Sequence, residues 1–155
     1  MVDPSDVFNV FVAAEIFNLQ EIVNYLQSYL IKNEAKWMEE YFSLIQNTIF
    51  QYNGFNEFQN YCTDIMSKDP VKIFKSPDFA SLSEKSLISL IERDDLRMKE
   101  IDVWENVLRW GCERNLTLLP IPESWSDDDF KAMRNTLRGC LPLIRFFSII
   151  IQGIF

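Results

Sequence analysis

The sequence contains no histidine. That single absence removes the commonest general base, the imidazole metal ligand, and both the Ser–His and Cys–His nucleophile pairs. Glycine is scarce, with 4 in 155 residues, and none sits in a phosphate-cradling run of either common type. Together with only 6 prolines, this argues against disorder, linkers and the many turns of a β-sandwich. The three cysteines, Cys62, Cys112 and Cys140, are odd in number, widely spaced and outside any C-x-x-C pair. They read as reduced thiols in an intracellular chain. Positive charge is the minority, Lys+Arg 15 against Asp+Glu 23, for a net −8. Binding to nucleic acid or an anionic membrane needs clustered cations, so neither is expected as a partner. Nor is there an apolar run long enough to span a bilayer; the nearest, IRFFSIIIQGIF, carries Arg145. The opening MVDPSDVFNV lacks the basic region of a secretory signal, and the expected location is the cytoplasm, with the nucleus as the alternative. The Asn115-Leu116-Thr117 sequon is accordingly read as chance.

What the chain does have is apolar bulk: 48% hydrophobic residues and 14% aromatic, ample for a packed core. The stretch IDVWENVLRWGCERN, residues 101–115, shows how it is arranged. On a helical wheel Trp110, Val103, Val107, Gly111, Trp104, Leu108, Ile101 and Cys112 fill an arc of roughly 200°, twice the ~100° stripe of an ordinary surface helix. A helix with so wide an apolar face is wedged between several neighbours. Trp104 and Trp110 lie towards opposite edges of that face and should pack against different ones. Gly111, between them, permits a close approach.

The same period recurs along the chain. SDVFNVFVAAEIFN reads as a helix with Ser5 as N-cap. Leu19 to Ile31 is a second helix, and the short connection at Asn18 makes the two an antiparallel hairpin. AKWMEEYFSLIQNTIF is one helix, or a short one followed by a longer one, stopped at Asn53-Gly54. FNEFQNYCTDIMSK is the next, ended by Asp69-Pro70. VKIFKSPDFASL reads as a loop with one turn. Ser81 and Glu84 have capping-box spacing, and Ser83 is an equal candidate for that cap. Residues 116–124, with Pro120 and Pro122, form a loop. Ser126 caps a long helix whose first turn holds Asp127, Asp128 and Asp129, where the helix dipole favours carboxylates. That trio lacks the spacing of a calcium loop. Gly139 reads as the stop of this helix, and a short final helix starts at Pro142. Nothing alternates with period two. The predicted fold is all-α, antiparallel helix pairs stacked in an array.

Chemistry is correspondingly thin. Glu39-Glu40 and Asp94-Asp95 sit in polar segments, whereas an acid–base dyad needs burial to separate its members. Cys62 and Cys112 fall on apolar helix faces, where thiols are inert packing. No catalytic residue, metal ligand or cofactor is assigned, and an enzyme is not expected. A ligand-binding helical domain, its aromatic stripes lining a pocket, remains a remote alternative.

Two stretches carry a family resemblance. FVAAEIFNLQEIVNYLQSYL resembles the last helix pair of a BTB domain. SLSEKSLISLIERDDLRMKEIDVWENVLRWGCERN resembles the signature of the BACK domain, with Leu87, Leu90, Ile91, Asp95, Leu96, Glu100, Val103, Trp104 and Trp110 in its places. LRGCLPLIRFF resembles the family's later segment, which closes on Ile-Arg-Phe. The family's polar cap near Met98 is missing. The resemblance implies a BTB-tail hairpin at 1–32, a BACK-like helical domain at 33–147 and an atypical tail at 148–155. It also implies a kelch-like adaptor that spaces a cullin-3-binding BTB domain from a substrate-recognition domain in a ubiquitin ligase. Its partners would be the cullin-3 N-terminal region and other BTB–BACK chains. The stretch corresponding to the family's cullin-contacting 3-box makes exposed members of Leu30, Trp37, Met38, Tyr41 and Phe42 the partner-binding candidates. A structural remnant without cullin affinity is the rival reading. A BTB hairpin parted from the rest of its domain is expected to expose Phe8 and Phe11.

Overall fold

The computed structural model describes residues 2–118 and 121–154; the expected loop proline Pro120 lies outside them. Helices form as the period requires, and no described residue is in a strand. The chain divides into two compact units between Ile65 and Met66.

The first unit begins with α1 (Pro4–Ile16) and α2 (Gln20–Asn33). Asp3, not Ser5, caps α1: its carboxylate accepts from the Ser5 amide at 2.8 Å. The reason is Pro4, whose fixed φ suits the first helical position and brings the helix start forward. The hairpin turns at Asn18, the one described non-glycine residue with positive φ, at 55°. Leu19 N–H donates to Ala14 O at 2.8 Å and Asn18 N–H to Glu15 O at 2.9 Å. This pair of bonds is the Schellman closure, with Asn as one of the few residues tolerant of the left-handed conformation. The stretch after it resolves into a short helix and a longer one, α3 (Ala35–Glu40) and α4 (Phe42–Ile49), broken at Tyr41. A 3-10 turn at Asn53–Phe55 leads into α5 (Asn56–Lys68).

Contrary to expectation, Phe8 and Phe11 are buried, Phe11 with 0% of its surface exposed. Phe11 meets Phe55 at 4.6 Å between ring centroids and Phe58 edge-on at 5.0 Å; Phe8 meets Trp37 at 5.8 Å. The hairpin thus finds its core partners within its own unit. The hairpin residues left exposed include Val10, Ile16, Phe17, Ile22 and Tyr25.

In the second unit, Pro70 opens a helix, α6 (Pro70–Lys75), where a loop was expected, and a 3-10 turn follows at Phe79–Ser81. An Asp-Pro pair stops one helix and can start the next, since proline at the first helical position loses no hydrogen bond. Ser83 rather than Ser81 caps α7 (Glu84–Ile91), its hydroxyl accepting from the Ser86 amide at 3.2 Å. The tryptophan helix is α8 (Glu100–Arg114), which begins at Lys99 with no side-chain cap. Ser126 caps α9 (Asp127–Thr136) in a complete capping box with Asp129. Helix α9 closes at Thr136, three residues before Gly139. The missing Cβ of Gly139 serves another purpose: one placed there would lie 2.6 Å from Glu84 Oε1 and 2.8 Å from Ile88 Cδ1. A 3-10 turn at Leu141–Leu143 precedes α10 (Phe146–Ile154).

Candidate protein-interaction site

Around α8 the packing covers part of its wide apolar face. Val103, Val107, Trp110 and Gly111 are buried. A Cβ on Gly111 would stand 2.6 Å from Met133 Sδ and 2.9 Å from Leu137 Cδ2, so glycine admits α9 to this face. The two tryptophans do take different partners. Trp110 Nε1 donates to Leu82 O at 2.9 Å, and the Arg114 guanidinium lies 4.7 Å from the Trp110 ring centroid. Trp104 is half-buried and packs edge-on against Phe146 at 5.3 Å. Asp95, in the connector before α8, is exposed and takes a bidentate bond from Arg93, Nε–Oδ1 2.7 Å and Nη2–Oδ2 2.7 Å. That bond, ahead of other influences, holds the Asp95 carboxyl below its ordinary pKa. Leu96 beside it is half-buried.

Glu100, at the start of α8, is only 8% exposed. Its Oε1 accepts from the Arg145 backbone amide at 2.8 Å, and its Oε2 stands 3.6 Å from Arg145 Nη1. Arg145 Nη2 also donates to Asp94 Oδ1 at 2.6 Å. Arg145 O in turn accepts from the Ser148 amide at 2.9 Å, so the residue that Glu100 holds is the one that opens α10. Periodicity gave no sign of this clamp, because its members lie 45 residues apart.

The five partner-surface candidates separate in the structure. Leu30, Met38 and Phe42 are buried. Trp37 is half-buried and stacks on Tyr41 at 5.4 Å, interplanar angle 26°. Tyr41 is 43% exposed, at the break between α3 and α4. The exposed apolar face there therefore consists of Tyr41 on its Trp37 support. Leu44, three residues on, is also exposed. This face sits on a continuous run of rings: Tyr41 to Trp37, Trp37 to Phe8, Phe8 to Phe11.

No group of three potential metal ligands occurs among the described residues. Burial pushes the Cys140 thiol up to about 11 and raises Cys62 further, so neither forms a thiolate near neutrality. No described helix is long and apolar enough to cross a membrane.

Comparison with known proteins bears on the same region. No curated protein and no solved structure gives a significant match to the chain. Residues 45–117, running from α4 through α8, match the family described as BACK, BTB And C-terminal Kelch. Residues 45–117, which hold the tryptophan helix and the connector before it, are thus similar to the BACK family, a helical protein-interaction scaffold of BTB–kelch-type proteins.

Proposed function

We propose that this chain is a non-catalytic adaptor piece of a cullin-3 ubiquitin ligase, acting in the cytoplasm or nucleus. On this reading residues 1–32 form a BTB-tail hairpin and 33–147 a BACK-like spacer. The spacer sets the distance between the cullin and a bound substrate. The observation that supports it best is the exposed Tyr41, stacked on Trp37 and rooted in the ring run behind it. An aromatic anchor on a rigid support loses little entropy on binding, and such residues dominate interface energetics. The exposed apolar residues of α1 and α2 suit self-association with another BTB–BACK chain.

A second reading, a structural remnant with no cullin affinity, draws on the burial of Leu30, Met38 and Phe42, which leaves a small contact face. Capture of the purified cullin-3 N-terminal region by immobilised chain separates the two. The adaptor reading expects capture by the chain alone, weakened by Leu44→Asp. Capture only after a complete BTB domain is fused upstream would establish the remnant reading instead.

A further inference from the structure

One side of α8 turns away from its packing partners and forms the wall of an open groove of about 460 Å³. Leu108 and Cys112 stand one above the other at four-residue spacing, and Leu116 continues their line past the end of the helix. Leu118 and Pro122 complete the apolar lining. Leu116 is 92% exposed, a leucine held out at the rim with nothing of its own unit over it.

The charges on this groove are arranged by sign. Glu105 and Glu113 mark its two ends, eight residues apart on α8, which is ~12 Å along the axis. Both are exposed, and neither has an ion-pair partner among the described residues. The cation between them, Arg109, is drawn aside: its guanidinium donates to the Phe74 carbonyl and lies 5.1 Å from the Phe79 ring centroid. Cys112, on the lining, has its thiol pKa raised first by burial and then by the Glu113 charge, as expected of a carboxylate standing beside the lining.

We propose that this groove docks an amphipathic helix of a partner protein. The helix's apolar residues would cover Leu108, Cys112 and Leu116, and two Lys or Arg side chains about two turns apart would meet Glu105 and Glu113. The charge pattern selects this occupant. An acidic helix would face two unpaired carboxylates, and an uncharged one would leave them without partners. Apolar anchors at i+3 and i+4 between cations at i and i+7 share one helix face, the usual form of helix-in-groove recognition. The volume falls within the range of about 300–1,000 Å³ common to ligand sites. The groove lies in the second unit, whereas Tyr41 lies in the first, so the inference stands apart from the cullin reading.

The test uses the full chain and two fluorescein-labelled helical peptides of about 16 residues, long enough to hold a helix. Both carry leucines at the anchor spacing; one has Lys at the flanking positions and the other Glu. Anisotropy titration should give saturable binding of the Lys peptide and roughly tenfold weaker binding of the Glu peptide, as two exposed ion pairs allow. Glu105→Lys with Glu113→Lys should reverse that preference. Leu116→Asp, at a position too exposed to affect folding, should weaken the Lys peptide roughly tenfold through lost apolar cover. Equal binding of the two peptides would overturn the proposal. So would no saturable binding of the Lys peptide, or affinities that neither variant changes while circular dichroism shows both folded.

Discussion

The Glu100 clamp gives the sharpest stability prediction, because its parts can be removed one at a time. Glu100→Ala deletes a buried carboxylate that accepts from the Arg145 amide at 2.8 Å. A hydrogen bond to a charged acceptor contributes about 1.5–3 kcal/mol, and a buried donor left unpaired costs a similar amount. The side-chain pair adds less. At 3.6 Å, with the Arg145 side chain 42% exposed, screening reduces it to about 0.5 kcal/mol. Glu100→Ala should therefore destabilise by about 2–3 kcal/mol, lowering Tm by about 5–10 °C for a chain of this size. Glu100→Gln keeps an acceptor for the amide and should cost about 1 kcal/mol. Arg145→Met leaves the backbone amide in place and should cost about 0.5 kcal/mol. Thermal melts followed by circular dichroism measure all three. Hydrogen exchange on Glu100→Ala should show the amides that open α10 losing protection first, since Arg145 starts that helix. An order in which Arg145→Met is the most damaging, or a Glu100→Ala variant as stable as the parent, would refute the reasoning.

Three further outcomes follow from the same structure. Trp110→Phe removes the bond to Leu82 O, but that carbonyl still accepts from Arg114 Nη2 at 2.5 Å. The cost should be about 1–2 kcal/mol by urea titration, against about 3–5 kcal/mol for Trp110→Ala, which also opens a cavity. The Asp129 carboxyl lies below its ordinary pKa because Ser126 donates to it from its hydroxyl and its backbone amide. A lowered folded pKa means stability that is present above the unfolded value and lost as pH falls through the folded one. The Tm gap between the parent and Asp129→Asn should therefore shrink below about pH 4, and a constant gap would contradict the capping role. The buried Cys62 and Cys140 should resist a thiol reagent at pH 8 until the chain unfolds, whereas half-buried Cys112 reacts first. Labelling Cys62 in the folded chain as fast as Cys112 would exclude the packing described.

Local signals were legible and distant ones were not. The wide apolar arc of α8, the hairpin at Asn18 and the cap at Ser126 each follow from residues within a turn or two of one another. Local ambiguity explains the smaller errors. Asp3 and Ser5 are both good caps, and only Pro4 decides between them; Asp69-Pro70 reads equally as an end and a beginning. The larger error, the expected exposure of Phe8 and Phe11, came from taking the rest of a BTB domain as their cover; Trp37 covers Phe8, and Phe55 and Phe58, more than forty residues downstream, cover Phe11. Periodicity shows which face of a helix is apolar and is silent about what covers it. The same silence hid the Glu100–Arg145 clamp and the division of the partner candidates into buried Leu30, Met38 and Phe42 and exposed Tyr41. The choice between one helix and two over residues 35–50 stayed open for a related reason: no proline or glycine marks the break at Tyr41.

Calorimetric titration of the cullin-3 N-terminal region into the purified chain, and into its Tyr41→Ala variant, bears most directly on the adaptor role. A saturable heat with the parent, and an affinity at least about fivefold weaker with Tyr41→Ala, is the predicted result, corresponding to about 1 kcal/mol for an aromatic anchor. No heat with the parent, or equal affinities for the two chains, would contradict it.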